Sequence, residues 1–177
     1  VTLVGMRSFA FAWLAARGFR VSGIEFSEKA IADFFQEHSL AARHMHDGLF
    51  AIWRCREITL FGGDFFDASP GIVGPFDGVY DRAALAATKP SDRRRYVEHL
   101  FDLIGPGVPI LLIALEFDAA AFSGPPFPIS EGLVRGLFER HGRVELLERV
   151  ECLSENPALS AKGIDSLSES VYLITKR

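Results

Sequence analysis

Short β-branched runs that alternate with segments of helical period constrain this chain more than any other feature. Val1–Val4, Arg20–Phe26, Ile58–Phe61, Phe76–Tyr80 and Ile110–Leu115 read as strands, four to eight residues of apolar character bounded by turn signals. Ser8–Arg17 spaces Phe9, Trp13 and Leu14 as a helix does, with Gly18 as its stop. Ser27 is placed to cap a helix from Glu28 to His38 that carries Ile31, Phe34 and Phe35 on one face. Pro90–Ile104 and Ser130–Arg140 read as two further helices, the second following the loop Ser123-Gly-Pro-Pro-Phe-Pro. Strands that alternate with helices imply a mostly parallel sheet with right-handed crossovers. Val144–Cys152 and Ser168–Thr175 add an antiparallel terminal hairpin. The expected fold is α/β and Rossmann-like, with a mostly parallel sheet of the seven-stranded type and helices on both faces.

One stretch breaks the rhythm. In Leu40–Arg56 the turn signal Met45-His46-Asp47-Gly48 precedes Leu49–Trp53, an extra hairpin strand, so residues 40–56 are expected as a peripheral insertion. Pro70–Pro75 reads as a loop and Ala83–Ala87 as a short apolar segment. The 177 residues, 49% of them hydrophobic and 16 of them Phe, suit a single domain over 1–177 with a sizeable core. Val1 falls directly on a core strand, which favours a chain truncated at its N-terminus.

Charge and composition exclude several classes of partner. A net charge of −4, with no basic run longer than Arg93-Arg94-Arg95, offers no footprint for nucleic acid. Cys55, Cys152, His38, His44 and His46 lack metal-ligand spacing, so no metal is expected. The apolar run Val108–Leu115 is broken by Pro109 and is far shorter than the roughly 20 residues of a membrane span. With no leader-like segment either, the expectation is a cytoplasmic monomer acting on a small molecule.

The chemistry-bearing residues gather at predicted strand ends. Gly5 ends the first strand and lets the backbone approach a ligand; Glu25 ends the second, about 20 residues on, where an acidic side chain accepts hydrogen bonds from ribose hydroxyls. Gly5-Met6-Arg7-Ser8 lacks the glycine series that accommodates a pyrophosphate, which disfavours a dinucleotide and a nicotinamide oxidoreductase. Asp64 and Phe65 follow the third strand; they suit an adenine amino group and ring face, or else a turn cap and a core ring. Asp81-Arg82 follows the fourth strand and suggests mutual neutralisation or a guanidinium offered to a ligand. Glu25 alone would also serve as a solvated carboxylate before a helix. Trp13, Trp53, Phe34, Phe35 and Phe101 read as core, Asp77 as structural, His99 as a surface or packing residue, and both cysteines as inert thiols. No Ser-His-Asp or Cys-His order presents itself, a pattern compatible with methyl transfer, which needs in-line approach and no obligatory nucleophilic side chain.

Taken together, Ala12-Trp-Leu-Ala-Ala-Arg-Gly, Gly23-Ile-Glu-Phe-Ser-Glu-Lys-Ala-Ile, Gly62-Gly-Asp-Phe-Phe-Asp, Phe76-Asp-Gly-Val-Tyr-Asp-Arg-Ala-Ala-Leu, Gly124-Pro-Pro-Phe, Gly163-Ile-Asp-Ser-Leu and Val171-Tyr-Leu-Ile-Thr resemble the thiopurine S-methyltransferase family. The resemblance runs over essentially the whole chain and implies a class I methyltransferase fold. It also implies S-adenosylmethionine as methyl donor, with a small thiol or a selenium or tellurium species as acceptor. By position it gives Val4 and Gly5 backbone contacts to the cofactor, Glu25 its ribose, Asp64 and Phe65 its adenine. Arg82 would lie beside cofactor and acceptor, and Phe127 would wall the acceptor pocket. Three departures stand against this. The family's aromatic N-terminal segment does not precede Val1, Leu3-Val-Gly-Met-Arg-Ser replaces Pro-Leu-Cys-Gly-Lys-Ser, and Ala10 stands for an acidic residue. A non-catalytic binding module on the same fold is the alternative these departures support.

Overall fold

The computed structural model describes residues 10–120 and 122–177, and the backbone alone of residues 2–4. Two compact units divide the chain, residues 1–80 and 81–177. The first unit holds strands β1 (Thr2–Val4), β2 (Val21–Glu25), β3 (Arg43–Asp47), β4 (Phe50–Cys55) and β5 (Ile58–Gly62), with helices α1 (Ala10–Ala15), α2 (Glu28–Glu37) and α3 (Pro70–Val73). Its strands lie in the order β3-β4-β5-β2-β1. β1 and β5 flank β2 in parallel, and the β3–β4 hairpin adds to β5 in antiparallel register.

α2 forms where the sequence predicts it. The Ser27 hydroxyl accepts the Ala30 N–H at 3.2 Å, satisfying one of the donors a helix start leaves open. Its apolar stripe, Ile31, Phe34 and Phe35, is buried with Val21, Ile58, Leu60 and Phe11. Phe11 anchors α1; its ring meets Phe34 edge-on at 5.7 Å and is wholly buried, an inclusion that stabilises by roughly 1.5–3 kcal/mol. Gly23 makes the space, because a Cβ there would fall 2.6 Å from the Phe11 ring. Trp13, expected in the core, is instead 54% exposed and lies under the Arg17 guanidinium, 3.5 Å from the ring centroid. A helix this short has one inward face, and Phe11, Leu14 and Ala15 occupy it, at spacings that leave Trp13 outside.

The second unit holds α4 (Ala84–Ala87), α5 (Arg93–Leu103), β7 (Pro109–Glu116), α6 (Glu131–Phe138), β8 (Gly142–Glu151), α7 (Pro157–Ser160) and β9 (Ser168–Lys176), while β6 (Val79–Arg82) runs across the division. β9 lies antiparallel between β7 and β8, which is the expected terminal hairpin. Its core is made by Tyr96, Val97, Leu100 and Phe101 of α5, Ile110 and Leu112 of β7, Phe138 of α6, and Tyr172 and Ile174 of β9.

Several expectations need correction. The described pairings within the units are mixed, with four antiparallel against two parallel, because two hairpins contribute antiparallel strands; this is an α/β fold without a clear seven-stranded, mostly parallel sheet. Met45–Asp47 belongs to a strand rather than to a turn, which falls at Gly48 and Leu49. Pro70 starts α3, its ring matching the φ of a first helical residue. The fourth core strand begins at Val79, not Phe76, since the chain bends at Asp77, and Asp81 and Arg82 therefore lie within it.

Candidate functional site

In the first unit the candidate residues stand at the C-terminal ends of two adjacent parallel strands. Register pairs Glu25 of β2 with Gly62 of β5, and the Gly63 N–H donates to the Glu25 carbonyl at 3.0 Å. Gly63 has no room for a side chain: its Cβ would lie 2.7 Å from the Phe50 ring. That close approach turns the chain so that Asp64 begins a 3₁₀ turn over Phe65–Asp67. One Asp64 oxygen accepts the Phe66 N–H at 2.9 Å, and one Glu25 oxygen accepts the Ser27 N–H at 2.9 Å. Both carboxylates are therefore fixed by the backbone two residues on. Their second oxygens carry no bond among the described residues. Phe65 is half-buried and meets Phe66 edge-on at 5.5 Å.

The structure thus brings Glu25, Asp64 and Phe65 to one strand edge. Val4 ends β1, whose backbone pairs with Ile24 one residue before Glu25. Gly5, Met6, Arg7 and Ser8, and with them the altered first turn, lie outside the described residues.

In the second unit, of the two roles open to Asp81-Arg82, mutual neutralisation does not form. The Asp81 carboxyl is completely buried; it accepts the Tyr96 hydroxyl at 2.8 Å and the Leu85 N–H at 3.2 Å. Burial pushes its pKa up to about 6, against the opposing hydrogen bonds from Tyr96, Leu85 and Ala84. Burial, then the Asp81 charge and hydrogen bond, pushes the Tyr96 phenol well above its ordinary range. Ala83 precedes α4 in the left-handed region, φ 84°, and has no side chain with which to cap it. Asp81 takes over that office from two residues upstream. Arg82 projects the other way, its side chain 56% exposed, and reaches Glu169 of β9 at 3.0 Å.

Phe127 is half-buried on the Gly124-Pro-Pro-Phe loop, where both prolyl bonds are cis. Its N–H donates to the Ala86 carbonyl at 2.7 Å, and its ring covers Gly124, where a Cβ would fall 2.4 Å away. Arg93, nearly buried at 5% exposure, approaches the Phe127 ring at 5.9 Å. Sequence reasoning missed the Asp81–Tyr96 pair and the Arg93 contact. The available signal was a tyrosine on the apolar face of α5, whose hydroxyl needs a partner when buried.

Among the described residues no group of three or more His, Cys, Asp or Glu is placed to hold a metal ion, and no helix is long and apolar enough to cross a membrane.

The sequence profile of the family described as Thiopurine S-methyltransferase (TPMT) matches residues 5–177. Relatives of that name include one from Methylococcus capsulatus, 41% identical over 168 residues, covering 94% of this chain and 75% of the relative. Another, from Azotobacter vinelandii, is 39% identical over 171 residues, covering 97% and 78%. Among solved structures, a SAM-dependent methyltransferase from Methanosarcina mazei aligns with a TM-score of 0.67 at 13% identity, covering 99% of this chain and 92% of that one. The N-methyltransferase NodS from Bradyrhizobium japonicum, in complex with S-adenosyl-L-homocysteine, aligns with a TM-score of 0.63 at 15% identity, covering 98% and 76%. Resemblance at such identity speaks to the fold alone.

Proposed function

This chain belongs to the thiopurine S-methyltransferase family, and on that premise we propose that it methylates a small thiol, or a selenium or tellurium species, using S-adenosylmethionine. The observation that carries the reading is the pair of carboxylates at adjacent parallel strand ends, each held by one oxygen and each with the other unbonded among the described residues. Such a pair of acceptors fits an adenosyl group, whose ribose hydroxyls and adenine amino group donate hydrogens.

When bound, S-adenosylmethionine supplies an electrophilic methyl group on a sulfonium. The chain's own residues bind and orient it. Glu25 accepts from ribose hydroxyls, Asp64 accepts from the adenine amino group, and Phe65 covers a ring face. Val4 and Gly5 contribute backbone contacts. In the second unit, Arg82 and Phe127 are the residues we give to the acceptor. The Arg82–Glu169 pair is exposed and of little energetic weight, so the guanidinium is free to exchange Glu169 for an acceptor. Asp81 is a positioning residue; it anchors the start of α4 and so sets where Arg82 leaves β6. No side chain is assigned as nucleophile or base, because the acceptor atom makes the attack itself. The reading is of a cytoplasmic, monomeric enzyme with no part for nucleic acid or membrane.

Calorimetry with S-adenosylhomocysteine tests it, joined to transfer of a labelled methyl group from S-adenosylmethionine to a thiopurine thiol, with selenite as second acceptor. Binding with turnover is expected. Glu25→Ala should weaken S-adenosylhomocysteine binding by about 1–3 kcal/mol, and an unchanged dissociation constant would remove Glu25 from the site. No heat at millimolar ligand would sink the proposal. Binding without transfer to either acceptor would leave the alternative, a non-catalytic module, which the departures at Leu3–Ser8 favour.

A further inference from the structure

At the end of β5 away from Asp64, the first unit carries a second concave feature. An open cleft of about 630 Å³ is lined by Ser39, Arg43, Arg54, Cys55 and Arg56, with no acidic residue in its wall. Arg43 and Arg54 are direct cross-strand partners in the β3–β4 pair, and Arg56 occupies the turn into β5 with φ 51°. None of the three guanidiniums has an ion-pair partner among the described residues, Glu57 next in sequence included. Arg82, Arg135, Arg140 and Arg149 by contrast each face a carboxylate.

Like charges placed directly opposite each other on an antiparallel pair destabilise it. Here that cost is set in a cleft and repeated by a third arginine. A single anion bridging the guanidiniums would reverse its sign. Guanidinium forks match phosphate oxygens in shape as well as charge, and three of them exceed what a monocarboxylate can engage. The cleft's volume suits a small molecule. The chain's net charge of −4 opposes the approach of a long polyanion. Register separates this cleft from the carboxylate edge, since Cys55 pairs with Ile58 at one end of β5 and Ala51 with Gly62 at the other.

We propose that this cleft binds a phosphate dianion, free or borne by a small phosphorylated molecule, through Arg43, Arg54 and Arg56. The proposal is independent of the methyltransferase reading.

The probes are inorganic phosphate and ribose 5-phosphate, titrated into the full chain at low ionic strength and followed by thermal melting and by amide chemical shifts. Phosphate should raise the melting temperature and shift the amides of residues 39–43 and 54–56. Arg54→Gln should weaken binding by about tenfold or more and, with the cross-strand repulsion gone, melt higher than the parent chain when no phosphate is present. Because Arg54 is exposed, the variant keeps the fold, and circular dichroism checks that. Tighter binding of ribose 5-phosphate would identify a phosphorylated molecule as the occupant; equal binding would identify free phosphate. Shifts confined to other residues, affinity unchanged in Arg54→Gln, or preference for a single-stranded oligonucleotide over both probes would each overturn the proposal.

Discussion

Burial holds the Asp81 carboxyl near a pKa of about 6, against an ordinary 3.8, so between those values the folded chain keeps a proton that the unfolded chain has released. The stability this proton confers is fully present below about pH 3.8 and is lost as pH rises through about 6. A shift of that size corresponds to on the order of 3 kcal/mol. Asp81→Asn keeps an acceptor for the Tyr96 hydroxyl but nothing to titrate. Urea unfolding at about pH 4.5 and about pH 7 should therefore show a smaller loss of stability on going to the higher pH in Asp81→Asn than in the parent. Equal losses would show that Asp81 does not carry the dependence. The residue explains why the acidic half of Asp81-Arg82 was illegible in sequence. Adjacent opposite charges invite pairing with each other, whereas in a strand consecutive side chains leave by opposite faces. Asp81 enters the core, and its partner arrives from α5, 15 residues on. The positions of Glu25 and Asp64 at the ends of β2 and β5 were legible because a strand end needs only local sequence to be recognised.

At the scale of elements, α1 packs through Phe11, Leu14 and Ala15 on one cluster, and the Phe11 ring fills the space that Gly23 leaves. Gly23→Ala places a Cβ 2.6 Å from Phe11, and overpacking of this kind costs about 1–3 kcal/mol. The same change made together with Phe11→Leu should cost less than when made alone, a coupling that a double-mutant cycle in denaturant measures. Additive effects would mean that α1 docks by other contacts. This contact also shows why α1's inward face could not be read beforehand. Phe9, Phe11, Trp13 and Leu14 offer more than one helical stripe, and the choice is made by bare backbone on a neighbouring strand. β3 was illegible for a related reason. Arg-His-Met-His-Asp has neither alternation nor burial, every one of its residues being exposed, and it is extended because β4 supplies its hydrogen bonds. By contrast α2 carries its cap and stripe in its own sequence and was placed to within a residue or so. β6 slipped because Phe76 is apolar and buried yet precedes the bend at Asp77.

Over the whole molecule, burial is distributed unevenly, and amide exchange should follow it. The slowest amides are expected in β7 and β9, where Ile110, Leu112, Tyr172 and Ile174 are wholly buried, and the fastest among strand residues in β3. Hydrogen exchange followed by mass spectrometry checks the ranking; protection of β3 equal to that of β9 would contradict it. The same strand has a further consequence. β3 is the outermost strand of its unit, and an unpaired outer strand is a template on which another chain can add. Arg43, with Arg54 directly across from it, presents positive charge that an identical strand adding in parallel register would have to accept against its own. The crowded arginines therefore oppose parallel, in-register stacking of copies, and a chain that neutralised them by substitution would gain local stability at the risk of stacking on itself.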